Sequence, residues 1–199
     1  NSMEPYHIMN SGLVFVLALD FILRFPLQKT PTQEVKPYLL MPVRRNRVID
    51  FLLIRSGLSS YNLIWLFMFA PFAIITIPKF FGLWGVLSYC AGIWLLMVFN
   101  NYWFLLCRTL ISERIWGVLL PLAIYGGIAA AIFIPEDKSV VANLFIDLGE
   151  GYIEGNLLAF IGTLAAIALM WLINRKLMAG LVYAELNLSL IHISEPTRP

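Results

Sequence analysis

The sequence predicts an all-α fold, a bundle of transmembrane helices that crosses the bilayer about five times. Charged residues make up 13% and apolar residues 60% of the 199 residues, whereas soluble domains average roughly 25% and 45–50%. Aromatic residues make up 14%, with six Trp, and Trp and Tyr are favoured where the apolar bilayer core meets the headgroups. Lipid is therefore the expected solvent, and the net charge of +2 gives no reason to expect nucleic acid as a partner.

The predicted spans are five apolar segments of the length that a bilayer core of about 30 Å requires. They cover residues 9–25, 57–77, 81–107, 115–134 and 157–174. The first is expected to end before Pro26, because the residue preceding a proline avoids helical geometry, and the second is expected to kink at Pro71. The connections are short, so residues 1–187 are expected to form one helical domain, truncated at both ends.

The two ends of the chain carry separate signals. Residues 188–198 read LSLIHISEPTR, which matches the translation of a transposase sequencing adapter. We therefore expect residues 188–199 to be adapter-derived and to carry no domain; the alternative is a genuine polar tail, a kind of segment that seldom carries a fold. At the other end, Asn1 precedes an apolar segment that lacks the pattern of a signal peptide, which indicates a truncated start.

Basic residues alternate between the predicted connections, as they do when basic loops stay in the cytoplasm. The connection 26–56 holds six Lys and Arg, the next holds only Lys79, and the third holds Arg108 and Arg114. The fourth is acidic, and the chain after the fifth span opens with Arg175 and Lys176. The first predicted span therefore starts outside the cell, and the C-terminal end lies in the cytoplasm.

The most informative stretch is residues 40–55, which read LMPVRRNRVIDFLLIR. An amphipathic helix is predicted near residues 42–56, with Pro42 in its first turn, where the N–H that proline lacks is not needed. Cations in a first turn oppose the helix dipole, so these arginines are expected to face an anionic surface. That surface is either phospholipid headgroups or an acidic groove of a cytoplasmic partner. The predicted contact residues are Pro42, Arg44, Arg45, Arg47 and Arg55.

This loop resembles the cytoplasmic coupling loop of type-2 ABC exporter permeases, with residues 40–45 as the matching motif. In that family the loop lies between the second and third membrane helices and receives the ATPase subunit, and a partly apolar external element separates the fifth and sixth helices. Residues 140–146 occupy the corresponding connection here. The resemblance implies that the five spans are helices two to six of a permease-like unit. It also implies a separate ATPase subunit, a homodimer, and a lipid-like or hydrophobic substrate.

The wider sequence resembles a bacterial family of multi-pass membrane proteins of unknown function, which is itself similar to such permeases. The matching residues are 20–25, 28–29, 36–39 and the loop at Pro42. This resemblance implies a location in the bacterial inner membrane. The alternative function is that of a non-transporting membrane scaffold or accessory protein, whose arginines only hold lipid.

Four polar residues stand out within the predicted spans: Asp20, Arg24, Asn100 and Asn101. Ionisable residues in a span are candidates for function. Asp20 and Arg24, however, stand four apart with the acid first, the favourable orientation for a helical pair, so a local structural pair is preferred over a proton or substrate role. Asn100 and Asn101 are expected to hydrogen-bond between helices, with a polar path as the alternative.

The sequence lacks the motifs of catalytic and nucleotide sites. There is no GxxxxGK[ST] loop, no HExxH and no GxSxG. Cys90 and Cys107 would lie roughly 25 Å apart along a helix, too far to bridge. We therefore expect no enzyme activity, no cofactor and no metal, and any ATPase must be another chain.

Two glycine-rich patterns complete the sequence. Residues 149–155 read GEGYIEG and are expected to form a solvated exterior loop, with cation binding by the acids as the alternative. Gly126, Gly127 and Gly162 each precede another small residue at the fourth position. This spacing predicts close helix packing, within one chain or between two.

Overall fold

The computed structural model describes residues 4–29, 31–38, 41–136 and 139–194. Every regular element in these ranges is a helix, which confirms the predicted all-helical class. The α-helices are α1 (Pro5–Ser11), α2 (Leu13–Leu27), α3 (Pro31–Val35), α4 (Arg45–Gly57), α5 (Leu66–Thr76), α6 (Pro78–Glu113), α7 (Leu119–Phe133), α8 (Ser139–Glu154) and α9 (Leu157–Ser194). Short 3-10 helices lie at Lys36–Tyr38, Ser60–Leu63 and Ile115–Val118.

Three helices are long and apolar enough to cross a membrane. They are α6, the continuous stretch Ile115–Phe133, and Leu157–Ala184 of α9, and they correspond to the third, fourth and fifth predicted spans. The first two predicted spans are each a bent pair of helices, α1 with α2 at 41° and Arg45–Leu63 with α5 at 57°. Five crossings are reached only if each bent pair counts as one.

The first predicted span is interrupted at Gly12, which separates α1 from α2. Its predicted end before Pro26 is also wrong, because α2 includes Pro26 and ends at Leu27. The proline lies in the last turn, and the N–H of Gln28 still reaches the carbonyl of Arg24 at 2.9 Å. The N–H that Pro26 lacks therefore does not end the helix before the proline.

A continuous helix over 57–77 is wrong. Helix α4 ends at Gly57, the Ser59 side chain accepts a hydrogen bond from the N–H of Tyr61 at 3.4 Å, and a 3-10 turn follows before α5. Pro71, where the kink was predicted, lies inside α5, and the bend of 57° comes before that helix. Serine at the start of a helical turn competes with the helix ladder for backbone hydrogen bonds, which explains why the break lies near Ser59.

The predicted amphipathic helix near 42–56 is α4, but it begins at Arg45 with Arg44 at its N-cap. The prediction that Pro42 lies in the first turn is therefore wrong, because Pro42 lies before the helix. Residues 41–43 form bends that lead into the helix. Leu40 of the motif at residues 40–45, and Leu39 of the wider resemblance, lie outside the described residues.

Helix α6 joins the two halves of the core. Near its start the backbone of Gly82 has a φ of 70°, a left-handed conformation that glycine adopts without steric cost. One apolar cluster packs α1, α2, α5 and α8 around residues such as Phe69 and Ile93. The other packs α2, α4 and α9 around residues such as Leu53 and Phe104.

The predicted exterior loop at 149–155 is wrong, because α8 continues to Glu154. Tyr152 is fully buried against α6 at Gly92, where an added Cβ would overlap the tyrosine ring. Gly155, with a φ of 70°, ends the helix, and the Asn156 side chain accepts from the N–H of Leu158 at 2.9 Å. These are the usual signals for a helix end and a helix start.

Helices α7 and α9 are the most exposed of the long helices. Among the residues of α7 only Pro121 is buried. Gly126, Gly127 and Gly162 face open space, so their predicted close packing does not occur within the described part of this chain. Helix α9 continues twenty residues past the predicted end at 174, through residues 188–194, whereas residues 195–199 lie outside the described ranges.

Candidate functional site

The predicted contact arginines divide between two surfaces. Arg44, Arg45 and Arg47 lie at the start of α4 and are exposed. They border a groove of about 560 Å³ that Asp50 of α4 and Arg175 and Tyr183 of α9 also line. We call this surface the basic groove. Arg55, in the last turn of α4, instead lines a different pocket, since ten residues of helix separate it from Arg45 by roughly 15 Å.

Side-chain contacts between α4 and α9 shape the basic groove. The Arg175 guanidinium donates from Nε to Asp50 Oδ1 at 2.5 Å and from Nη2 to Oδ2 at 3.3 Å. The Arg45 guanidinium carbon lies 5.5 Å from the centre of the Tyr183 ring, within the range of a cation–π contact. Asp50 is paired with Arg175, so the remaining arginines give the surface an excess of positive charge.

The four polar residues predicted in the spans come together in one buried cluster. Asp20 and Arg24 of α2 meet Asn100 and Asn101 of α6, and all four are at most 5% exposed. Asn62 and Trp65, from the break between α4 and α5, complete the cluster. We call these six residues the core polar network.

Arg24 is the centre of the core polar network. Its Nε donates to Asp20 Oδ2 at 2.7 Å, which is the predicted pair along α2. Its Nη1 donates to Asn101 Oδ1 and its Nη2 to Asn62 Oδ1, each at 2.9 Å. A buried guanidinium requires a charge partner and acceptors for its N–H groups, and this site supplies both.

Asp20 receives further hydrogen bonds from two other segments. The side-chain amide of Asn100 donates to Oδ2 at 2.7 Å, and Nε1 of Trp65 donates to Oδ1 at 2.8 Å. The same amide of Asn100 donates to the carbonyl of Leu17 at 3.1 Å. The charge of the carboxylate is therefore balanced by Arg24, and its hydrogen bonds join α2, α6 and the break before α5.

Asn62 connects the network to the helix break. Its Nδ2 donates to the carbonyl of Gly57 at 2.6 Å and to that of Ser56 at 3.2 Å. These carbonyls belong to the last turn of α4, where the helix supplies no further i+4 N–H. The carbonyl of Ser56 also accepts from the N–H of Ser59 at 3.2 Å, whereas the partner of the Gly57 carbonyl is Asn62. Their pairing with Asn62 allows α4 to end inside the protein.

The chain matches the model of a family of unknown function, DUF5687, over residues 1–194. The chain belongs to the DUF5687 family. The match includes both the basic groove and the core polar network, as well as the first part of the tail, 188–194. No curated protein and no solved structure matches the chain.

The sequence interpretation of the DUF5687 chain missed Asn62, Trp65, Arg175 and Tyr183. Asn62 lies inside a predicted span, and an asparagine there was a signal of a buried partner. Arg175 and Asp50 carry opposite charges on the same predicted side of the membrane, but 125 positions separate them. Within the described ranges no group of three His, Cys, Asp or Glu is arranged to hold a metal ion.

Proposed function

We propose that this DUF5687 chain is the permease-like membrane subunit of an ABC-type exporter, driven by a separate ATPase subunit that docks at the basic groove. The observation that carries the proposal is the placement of α4. Its apolar face, with Ile49, Leu52 and Leu53, is buried against the bundle, while Arg44, Arg45 and Arg47 stay exposed at its start.

The way in which α4 is held favours the transmission of force. The helix is tied to α9 by the bond between Asp50 and Arg175 and to α2 through Asn62 and Arg24. A partner that pushes on the exposed arginines would therefore act on two long helices. A helix that only anchored the chain to lipid would not need these attachments.

A lipid-like or hydrophobic substrate is supported by a groove between α2 and α7. The groove has a volume of about 430 Å³ and is lined by apolar and aromatic side chains, among them Phe15, Ile22, Leu122 and Ile132. Its size is that of a ligand pocket. The open small-residue face of α7 supports packing between two copies of the chain.

Docking at the basic groove is tested by affinity capture of the tagged chain from its native membrane. The variant Arg44→Gln/Arg45→Gln/Arg47→Gln is expected to recover about tenfold less of a nucleotide-binding subunit than the parent, because three charges of the contact are lost. The amount is measured by quantitative mass spectrometry and by ATPase activity of the eluate.

The matched control removes three exposed cations outside the groove, Lys79, Arg114 and Lys176, by the same change to Gln. It is expected to recover as much ATPase subunit as the parent. Equal recovery by both variants would contradict docking at this surface. Recovery of no nucleotide-binding protein by the parent would favour the scaffold function.

The proposed location is the bacterial inner membrane, with residue 36 in the cytoplasm and residue 147 outside. Single cysteines are introduced at Lys36 and Asp147 after replacement of Cys90 and Cys107. A membrane-impermeant maleimide added to whole cells is expected to label position 147 and to label position 36 only after lysis. Labelling of position 36 in intact cells would reverse the orientation.

A further inference from the structure

The pocket at Arg55 combines positive charge with hydrogen-bond donors. It lies between the end of α2 and the end of α4 and has a volume of about 300 Å³. We call it the polar pocket. We infer that the polar pocket binds a phosphate group, and that the ligand is the headgroup of a membrane phospholipid.

Two cations define the charge of the polar pocket. Lys29, just after α2, and Arg55, in the last turn of α4, both line it and are both exposed. Among the described residues neither forms an ion pair. Among the described residues of the lining, Glu34 of α3 is the single acid, so the pocket has an excess of positive charge and favours an anion.

The floor of the polar pocket is held in place by the core polar network. Gln28 donates from Nε2 to Asn101 Oδ1 at 3.4 Å, and Ser56 Oγ accepts from Asn101 Nδ2 at 2.9 Å. Asn101 is in turn bound to the Arg24 guanidinium. Polar groups that are fixed before a ligand arrives lose little freedom when it binds.

The hydroxyl groups of the polar pocket supply further hydrogen-bonding capacity. Ser59 already accepts from the N–H of Tyr61, so its own hydrogen can point to a ligand. Together with the N–H groups of Lys29 and Arg55, it can surround an oxyanion from two sides. A phosphate has three or more acceptor oxygens, which suits this set of donors.

The position of the polar pocket favours a lipid over a soluble phosphate. Leu27 and Leu105 line it beside the polar groups. Along the adjoining helix α2, Leu23 lies on the same face as Leu27, four positions away, and both are exposed, at 45% and 53%. A ligand whose phosphate meets Arg55 can therefore lay its acyl chains along an apolar helix face, which a soluble phosphate cannot use.

The inference goes beyond the proposed function, because headgroup binding requires no ATPase. It is tested by native mass spectrometry of the purified full chain with dioleoyl phosphatidylglycerol or with dioleoylglycerol, which has the same tails and no phosphate. The parent is expected to carry about tenfold more of the phosphate lipid. The variant Lys29→Gln/Arg55→Gln is expected to lose this preference.

The matched control also removes one Lys and one Arg, through Lys176→Gln/Arg114→Gln, and is expected to keep the preference. Equal binding of both lipids by the parent, or an unchanged preference in the Lys29→Gln/Arg55→Gln variant, would overturn the inference. A phosphatidylglycerol with a photoactivatable group on its headgroup provides a measurement on the unchanged chain. It is expected to label residues 55–61, and labelling elsewhere alone would overturn the inference.

A competition experiment distinguishes the two sources of phosphate. Glycerol 3-phosphate is expected to displace phosphatidylglycerol only weakly, because it makes no contact with the apolar face of α2. Displacement by it as effective as that by dihexanoyl phosphatidylglycerol would overturn the lipid assignment. No ATPase is present, so failure here leaves docking at the basic groove unaffected, and failure of the capture experiment leaves this inference unaffected.

Discussion

The core polar network and the basic groove both contain arginine and aspartate, but the network buries its arginine whereas the groove leaves its arginines at α4 exposed. In the network, Arg24 is 1% exposed and its guanidinium bonds to Asp20, Asn62 and Asn101. In the groove, Arg44, Arg45 and Arg47 remain exposed at the start of α4. The difference teaches that the first set of charges supports the fold, whereas the second set is available to a partner.

The sharpest test of this comparison is the change Arg24→Met. It leaves Asp20 buried without its charge partner and removes the donors to Asn62 and Asn101. Breaking a buried ion pair on one side costs about 3–5 kcal/mol. The thermal unfolding midpoint of the purified chain is expected to fall strongly, or the folded yield to drop, whereas Lys29→Met, an exposed change close by in the sequence, has little effect.

A double change separates loss of the ion pair from loss of volume. In Asp20→Asn/Arg24→Met neither charge remains, so part of the stability lost in Arg24→Met is expected to return. A double variant that is less stable than the single variant would show that the charge pair is not the main contribution of Arg24.

The change Asn62→Ala is expected to have the second largest effect. It leaves the carbonyl of Gly57 unpaired and removes one acceptor of Arg24, which costs about 1–3 kcal/mol. Amide hydrogen exchange is expected to rise in residues 58–65, at the break. The control is the change Asn46→Ala at an exposed position of α4. Equal exchange in both variants would argue against a role of Asn62 in holding the break.

The smallest expected effect on stability is that of Asp50→Asn. The pair with Arg175 is partly exposed, with side-chain exposures of 31% and 39%, and exposed ion pairs contribute little. The change should lower the unfolding midpoint less than Asn62→Ala, and about 0.5 M salt should remove most of the difference. Capture of the proposed ATPase is expected to persist, since the groove becomes more positive. A fall in the unfolding midpoint as large as that caused by Arg24→Met would contradict the distinction between a structural network and an exposed groove.

The sequence predicted the local pair in the core polar network but not its other members. Asp20 and Arg24 lie on one helix, so their spacing of four residues was enough to predict their bond. Asn100 lies 80 positions from Asp20, and Asn62 lies 38 positions from Arg24. Their meeting depends on how α2, α5 and α6 pack, and no local pattern contains that information.

The breaks in the first two predicted spans show the same limit. Their mean apolarity predicted continuous helices, because a lipid solvent favours unbroken backbone hydrogen bonding. A helix can end inside the bundle only where something else pairs its last carbonyls, and at Gly57 that partner is Asn62. The sequence contained the signals, Ser59 and Asn62, but only the tertiary structure shows that both are satisfied.

The sequence by itself determined the helical class, the three long apolar helices, the amphipathic helix with its basic start, and the bond between Asp20 and Arg24. Each of these depends on composition or on spacing within one helix. The tertiary structure alone decided that Asp50 meets Arg175. It also decided that Tyr152, expected in a solvated loop, packs on Gly92. These outcomes depend on contacts between distant segments, whose energies arise only when the helices pack together.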